Sequence, residues 1–318
     1  MTWTIKSGDY MKITQDNVNS PLSTAQKDLA CQRASELGVK YIALALPYDS
    51  PIAQRLEWVQ TAKKYGLLIW HRSSWYSDEG WYNTPKNVTN DRIQDTVNWI
   101  KANATIFQNG DIFTPKPEPQ NMGVVGLNGY SNPRFSSVAV FNKWLRDMTI
   151  ACKQAFTDIG KDVRVGYWGF DGFVTCGYNN PDWSGKSFLE PATVQAMDNI
   201  ITVDHYPSLV GKPMTDFLNV FKKTWPTAKM VLGEYGAAQL STIEAQTTEI
   251  NASMTALKDP IVLGVNYWHI GPGGTEALIN SDFSKKATFD VVKGYYMEST
   301  QNQPETIQIL PEIAVKSM

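Results

Sequence analysis

The segment Met230-Val231-Leu232-Gly233-Glu234-Tyr235-Gly236 is a short apolar run that ends on a glutamate close to glycine. It predicts a β-strand whose last residue carries a carboxylate into the following turn. The segment Phe113–Asn121 repeats this pattern, with Glu118 standing between Pro117 and Pro119. The two segments lie far enough apart for several βα units to intervene, so the intervening sequence decides the fold.

Short apolar strands alternate with helical patterns along the chain. The predicted strands are Tyr10–Thr14, Tyr41–Leu46, Leu67–His71, Asp111–Pro115, Val163–Trp168, Ile200–Asp204, Met230–Gly233 and Ile261–Trp268. The predicted helices are 21–37, 51–65, 91–108, 133–159, 193–199, 213–224, 241–258 and 284–298. Eight strands and eight helices in strict alternation require a parallel sheet, and eight repeats favour a closed barrel over an open sheet. We therefore predict an α/β fold, a (β/α)8 TIM barrel over residues 1–300, with 301–318 as a C-terminal tail.

Composition excludes several function classes. The chain has 318 residues, 42% hydrophobic content and a net charge of −2, which suits one α/β barrel. No basic stripe or long apolar stretch stands out, so we expect neither a nucleic-acid nor a membrane partner. The three cysteines, Cys31, Cys152 and Cys176, are widely spaced, and no H-x-x-x-H pair occurs. We expect no disulfide framework, no metal and no cofactor.

The N-terminal residues Met1–Lys6 lack the basic start and apolar run of a signal peptide. We expect a cytoplasmic protein, or a secreted or cell-surface one from which a leader has been removed. The sequence leaves the oligomeric state open.

Active sites of TIM barrels lie at the C-terminal ends of the strands. All three histidines of the chain fall at these predicted ends, at His71, His205 and His269. Aromatic side chains, which offer flat apolar faces to sugar rings as well as to protein cores, lie there too. The candidate binding residues at these ends and in the loops after them are His71, Trp75, Asn121, Trp168, His205, Tyr206 and Trp268.

Neighbouring residues on a regular strand face opposite sides, which forces a choice between adjacent candidates. For His205 and Tyr206 we favour Tyr206 as the site residue and retain His205 as the weaker candidate. For His71 and Arg72 we favour His71, and we expect Arg72 to pair with a structural carboxylate.

The glutamates ending strands four and seven, with a tryptophan ending strand eight, resemble clan A of the glycoside hydrolases. That clan comprises retaining enzymes on a (β/α)8 barrel, and the exact family is not identified. The resemblance implies that Glu118 is the acid/base and Glu234 the nucleophile. It also implies that Tyr206 hydrogen-bonds the nucleophile and that Trp268 floors the sugar at the cleavage point.

The sequence departs from the clan at Pro117, where an asparagine that binds the sugar 2-hydroxyl usually precedes the acid/base. Asn121 is the candidate substitute. By strand alternation, Lys116 is expected on the same side as Glu118, where a cation would favour the carboxylate over the acid.

We therefore expect a retaining glycoside hydrolase that cleaves a β-linked poly- or oligosaccharide, with Glu118 and Glu234 as its two carboxylates. The first alternative is a non-catalytic carbohydrate-binding barrel, which Pro117 supports. The second is an aldolase or isomerase, for which Lys116 is the single lysine at a predicted strand end.

Overall fold

Eight parallel strands form one curved sheet in the computed structural model, which describes residues 3–9, 21–75, 92–122, 124, 134–169 and 187–298. The strands are β1 (Ile5–Asp9), β2 (Tyr41–Ala45), β3 (Leu68–Arg72), β4 (Ile112–Thr114), β5 (Arg164–Val165), β6 (Ile200–Val203), β7 (Lys229–Tyr235) and β8 (Val262–Tyr267). Their order in the sheet is β5-β4-β3-β2-β1-β8-β7-β6, and all the pairs are parallel.

The two ends of this sheet meet beyond β5. The amide of Gly169 donates to the carbonyl of Thr202 on β6 at 2.8 Å, which joins the last strand in the order to the first. The sheet is therefore closed, and the predicted (β/α)8 barrel is confirmed.

The predicted first strand, Tyr10–Thr14, lies outside the described residues, and the prediction did not include the strand that the structure shows before it. The first strand is Ile5–Asp9, which pairs with β2 on one side and β8 on the other. Because its residues are mostly polar, a search for apolar runs does not find this strand. The Lys6 side chain is buried because its Nζ donates to the carbonyl of Tyr296 at 2.7 Å.

Helices follow most strands and cover the outside of the barrel. They are α1 (Thr24–Leu37), α2 (Ile52–Lys64), α3 (Ile93–Ala102), α4 (Val138–Asp158), α5 (Pro191–Ala196), α6 (Pro207–Val210), α7 (Met214–Thr224), α8 (Ile243–Ala256) and α9 (Ala287–Glu298). Single turns of 3₁₀ helix occupy Ala104–Ile106 and Pro119–Met122. No helix within the described residues has the length and apolarity needed to cross a membrane.

Apolar side chains form two separate layers. A small inner cluster fills the barrel with Ile5, Tyr41, Ala43, Trp70, Ile112, Trp168 and Val231. A larger outer cluster packs the strands against the helices and includes Ile69 on β3 and Ile201 on β6. Because side chains alternate along a strand, this division fixes which residue at each strand end faces the barrel axis.

Candidate active site

Three carboxylates converge at the C-terminal end of the barrel. One oxygen each from Glu118, Asp204 and Glu234 lies within 4.8 Å of the other two. The side chains of Glu118 and Glu234 are 14% and 10% exposed, so both still reach solvent. The two glutamates predicted from the strand ends are therefore close neighbours in space.

Arg72, at the end of β3, binds this cluster unequally. Its Nη2 lies 2.5 Å from Glu234 Oε1 and 4.0 Å from Glu118 Oε1. A charge-assisted hydrogen bond forms at the first distance, while the second leaves a weaker Coulombic attraction. The positive charge of Arg72 thus stabilises the Glu234 carboxylate more than that of Glu118.

Tyr206 contacts the other oxygen of Glu234. Its hydroxyl donates to Glu234 Oε2 at 2.9 Å. Burial, with the negative charge of Glu234, raises the pKa of Tyr206 well above its ordinary value. The tyrosine therefore remains a protonated donor, and with Arg72 it fixes both oxygens of Glu234.

Glu118 adopts an unusual backbone conformation. Its φ is +46°, in the left-handed region that non-glycine residues rarely occupy. The Glu118 amide donates to the carbonyl of Trp168 at 2.8 Å, and a turn of 3₁₀ helix begins at Pro119. Regular alternation therefore ends before Glu118, so the expectation that Lys116 shares its side no longer follows from strand geometry.

Glu234 reaches the barrel axis through an irregularity in β7. The register with β8 shifts between Leu232 and Tyr235. Tyr235 belongs to the outer apolar cluster, and Gly233 faces inward against Asp204. The extra residue lets Glu234 also face the barrel axis, as expected of a β-bulge beside a functional site.

Trp268 lies at the rim of the cluster, directly after β8. The Arg72 guanidinium carbon is 5.8 Å from its ring centroid, and its amide donates to the carbonyl of Tyr235 at 2.7 Å. The peptide bond to His269 is cis. The ring is partly buried.

The preference for His71 over Arg72 is wrong in this structure. His71 faces outward, where its Nε2 lies 3.1 Å from Asp111 Oδ2 and its ring packs edge-on against Phe107. It is fully buried, and burial lowers its pKa. Trp70 belongs to the inner cluster, so Arg72, two residues later, faces the axis instead.

His205 also lies outside the carboxylate cluster. Its ring stacks on Phe217 of α7 at 4.6 Å, and its Nε2 lies 3.0 Å from the carbonyl of Lys212. Burial lowers the pKa of His205 to about 4. It is a packing residue, and Tyr206 takes the position at the site.

His269 follows Trp268 and is buried. Its Nε2 lies 3.5 Å from Glu276 Oε1. The three histidines therefore do not form one cluster.

Two of the aromatic candidates are packed in ways that exclude or reduce contact with a sugar. Trp168 is fully buried beneath Arg72, so its predicted role in binding sugar is wrong. Trp75 is partly buried, with its ring 4.8 Å from that of Tyr48 and 5.0 Å from the guanidinium of Arg92. The side chain of Asn121 lies outside the described part of the structure, so its role stays a prediction.

Arg72 and Asp204 are the site residues that sequence reasoning missed. Both could have been found by counting in steps of two from inner-layer positions, since Arg72 follows Trp70 and Asp204 follows Thr202. Asp204 is 4% exposed, and its charge contributes to raising the pKa of Tyr206.

The spacing of the Glu118, Asp204 and Glu234 oxygens would also suit a divalent cation. The guanidinium of Arg72 already places a positive charge against Glu234. The arrangement can therefore stabilise Glu234 as a carboxylate nucleophile beside a second carboxylate, Glu118. The expectation that no metal binds stays a prediction.

The chain is similar in structure to several solved glycoside hydrolases. GH5_18 from Streptomyces cattleya in complex with GlcNAc matches with a TM-score of 0.67 and 13% identity, over 96% of this chain and 82% of that one. The endo-1,4-β-mannanase from Rhizomucor miehei matches with a TM-score of 0.66 and 12% identity, over 94% and 95%. The endo-β-1,4-glucanase Xac0029 from Xanthomonas axonopodis pv. citri matches with a TM-score of 0.62 and 11% identity, over 93% and 99%.

The chain has the barrel fold of these glycoside hydrolases. No protein-family model matches the sequence, and no curated protein matches it. The fold expected from the clan A resemblance is therefore confirmed at low sequence identity. Its chemistry rests on the site geometry described above.

Proposed function

We propose that this protein is a retaining glycoside hydrolase, with Glu234 as nucleophile and Glu118 as acid/base. The observation that carries the proposal is the approach of Glu118 and Glu234 to within 4.8 Å, from the ends of strands four and seven. Retaining enzymes need carboxyl groups about 5–5.5 Å apart, whereas inverting enzymes need about 6.5–9.5 Å to admit a water molecule.

The unequal contacts of Arg72 support the division of roles. Glu234 receives the guanidinium at 2.5 Å and the Tyr206 hydroxyl at 2.9 Å. Both contacts stabilise a negative charge and aim the carboxylate toward one position. Glu118 lies 4.0 Å from the same guanidinium, and we assign it the role of acid/base.

In the first step, a Glu234 oxygen attacks the anomeric carbon while Glu118 gives its proton to the leaving oxygen. The bond to the leaving sugar breaks, and a glycosyl ester forms on Glu234. In the second step, Glu118 takes a proton from water, which attacks the anomeric carbon and releases Glu234. The partly buried ring of Trp268 is proposed to pack against the sugar ring during both steps.

The substrate is proposed to be a β-linked poly- or oligosaccharide. Structural neighbours include a mannanase, a glucanase and a GH5_18 from Bifidobacterium longum subsp. longum in complex with Manb1-4GlcNAc. The test measures reducing ends released from β-1,4-mannan, β-1,4-glucan and β-mannosyl-GlcNAc. A β-glucuronide completes the panel, because β-glucuronidases also share the fold.

Glu234→Gln is the decisive variant, and Glu244→Gln on the exposed start of α8 is its matched control. We expect Glu234→Gln to lower kcat by at least about 10³-fold, with Glu244→Gln unchanged. Proton NMR of the first product should give the same anomer as the substrate. An inverted anomer would contradict the retaining mechanism, and unchanged turnover in Glu234→Gln would remove the assignment of the nucleophile.

A non-catalytic carbohydrate-binding barrel is the second candidate, and Pro117 is the feature that favours it. The asparagine that usually precedes the acid/base is replaced by a proline, whose ring offers the sugar no hydrogen bond. Binding of the same glycans by calorimetry without release of reducing ends, and with unchanged affinity in Glu118→Ala, would support this alternative.

A further inference from the structure

Trp168 is fully buried beneath the proposed site and has no contact with solvent. It lies just beyond β5, and its ring belongs to the inner apolar cluster. Three of its contacts connect it to the carboxylate cluster: one with Arg72, one with the backbone of Glu118 and one with Gly233, the residue before Glu234.

The first contact is with Arg72. The guanidinium carbon lies 4.2 Å from the centroid of the Trp168 ring. The ring is supported by its other neighbour, Trp70, at a centroid distance of 4.5 Å. A desolvated cation–π contact of this kind holds the guanidinium plane in place.

The second contact is with the backbone of Glu118. The Trp168 carbonyl accepts a hydrogen bond from the Glu118 amide at 2.8 Å. Glu118 has φ +46°, and a residue in the left-handed region persists where its surroundings impose that conformation. Because the acceptor is a main-chain carbonyl, any residue at position 168 supplies this hydrogen bond, and side-chain variants at 168 keep it.

The third contact is with Gly233, the residue before Glu234. A methyl group added at Gly233 would lie 2.9 Å from Trp168 Nε1 and 2.6 Å from Asp204 Oδ1. The absence of a side chain at Gly233 therefore lets the indole edge pack directly against the backbone that carries Glu234.

We propose that the Trp168 side chain is a positioning element of the site, because its indole holds the Arg72 guanidinium against Glu234. This inference rests on the proposed function and extends it to a residue that never meets the substrate. Its indole orients Arg72, and Arg72 in turn distributes its charge unequally between Glu234 and Glu118.

The test compares Trp168→Met with Trp168→Phe. Methionine fills much of the space without an aromatic face, whereas phenylalanine keeps a face for the guanidinium. We expect Trp168→Met to lower kcat about 100-fold with KM within about threefold, since small misplacements of reacting groups have effects of this size. Trp168→Phe should remain within about tenfold of the wild type.

Trp58→Met is the control for general loss of packing, because Trp58 is fully buried on α2 in the outer layer. It should lower the melting temperature by a similar amount and leave kcat within about twofold. An equal loss of kcat in Trp58→Met would overturn the proposal. So would a Trp168→Phe variant that loses as much kcat as Trp168→Met while keeping Arg72 in place.

Crystal structures of both Trp168 variants provide a readout that does not depend on turnover. In Trp168→Met we expect the distance between Arg72 Nη2 and Glu234 Oε1 to exceed the hydrogen-bond range. In Trp168→Phe we expect the two atoms to remain within hydrogen-bond distance. If the wild type cleaves no glycan but Arg72 moves as expected, the proposed function fails and the positioning role stands. If the wild type is active and Arg72 stays in place in Trp168→Met with kcat unchanged, the positioning role alone fails.

Discussion

His71 and Arg72 are consecutive residues on β3, and they belong to different parts of the molecule. His71 lies in the layer between barrel and helices, where it contacts Asp111 and Phe107. Arg72 lies inside the barrel, 2.5 Å from Glu234. The same division separates His205, stacked on Phe217, from Tyr206, which donates to Glu234. Whether a polar residue at a strand end reaches the site depends first on the side of the sheet that its side chain faces, because only the inner side opens onto the site.

The largest expected effect comes from replacing Arg72, the inward-facing residue of the pair on β3. Arg72→Met should lower kcat/KM by about 10³-fold, because it removes the counter-charge and hydrogen bond of Glu234. His71→Gln should leave kcat/KM within about threefold and lower the free energy of unfolding by about 1–3 kcal/mol, since Asp111 loses a buried partner. Initial rates of reducing-end release and denaturant unfolding measure the two effects. Equal kinetic losses in both variants would abolish the distinction between the two sides.

The second pair around Glu234 gives a smaller kinetic effect. Tyr206→Phe should lower kcat by about 10- to 100-fold, because the Oε2 of Glu234 loses its donor at 2.9 Å. Tyr235→Phe is the matched control, since the Tyr235 hydroxyl faces outward and lies 3.3 Å from the carbonyl of Glu249. Steady-state kinetics should find Tyr235→Phe close to the wild type. A Tyr206→Phe enzyme with wild-type kcat would show that the contact has no kinetic weight.

His205, the outward-facing neighbour of Tyr206, should affect stability in a pH-dependent way. Burial lowers the pKa of His205 from 6.5 to about 4, so the unfolded chain binds a proton more readily than the folded protein. This contribution to stability is present above pH 6.5 and is lost as the pH falls toward 4. Its size is up to about 3 kcal/mol.

His205→Phe keeps the stacking on Phe217 and cannot titrate. The wild type should therefore lose free energy of unfolding relative to this variant as the pH falls from about 7.5 to about 4. Urea unfolding at several pH values measures the difference between the two proteins. A difference that stays constant across this range would mean that His205 does not titrate as its burial requires.

The smallest expected effect concerns the backbone that presents Glu118. With φ at +46°, glycine fits this position better than alanine, so Glu118→Gly should be more stable than Glu118→Ala by about 1 kcal/mol. Glu234 lies within β7, where glycine weakens the strand, so Glu234→Ala should be more stable than Glu234→Gly. Thermal unfolding of the four variants compares the two positions. The same order at both positions would argue against the left-handed backbone at Glu118.

Much of the barrel could be read from the sequence because its repeats are local. Seven of the predicted strands overlap observed ones. The failure at β1 has a physical cause. Ile5–Asp9 is polar in sequence, and its place between β2 and β8 depends on distant partners. Lys6 is buried there, and its Nζ donates to the carbonyl of Tyr296, near the other end of the chain.

Local sequence patterns place two glutamates at or after the ends of strands in an eight-fold βα repeat, and therefore at one end of one barrel. Contacts between strands then select the side chains that surround these two glutamates. The bulge in β7 turns Glu234 inward, the left-handed backbone redirects Glu118, and the inner position of Arg72 replaces the expected histidine. Alternation and hydrophobic periodicity are properties of one strand, whereas these three features arise from strands packed against one another. For that reason the carboxylate pair was visible in the sequence, and the arginine and buried tryptophan around it were not.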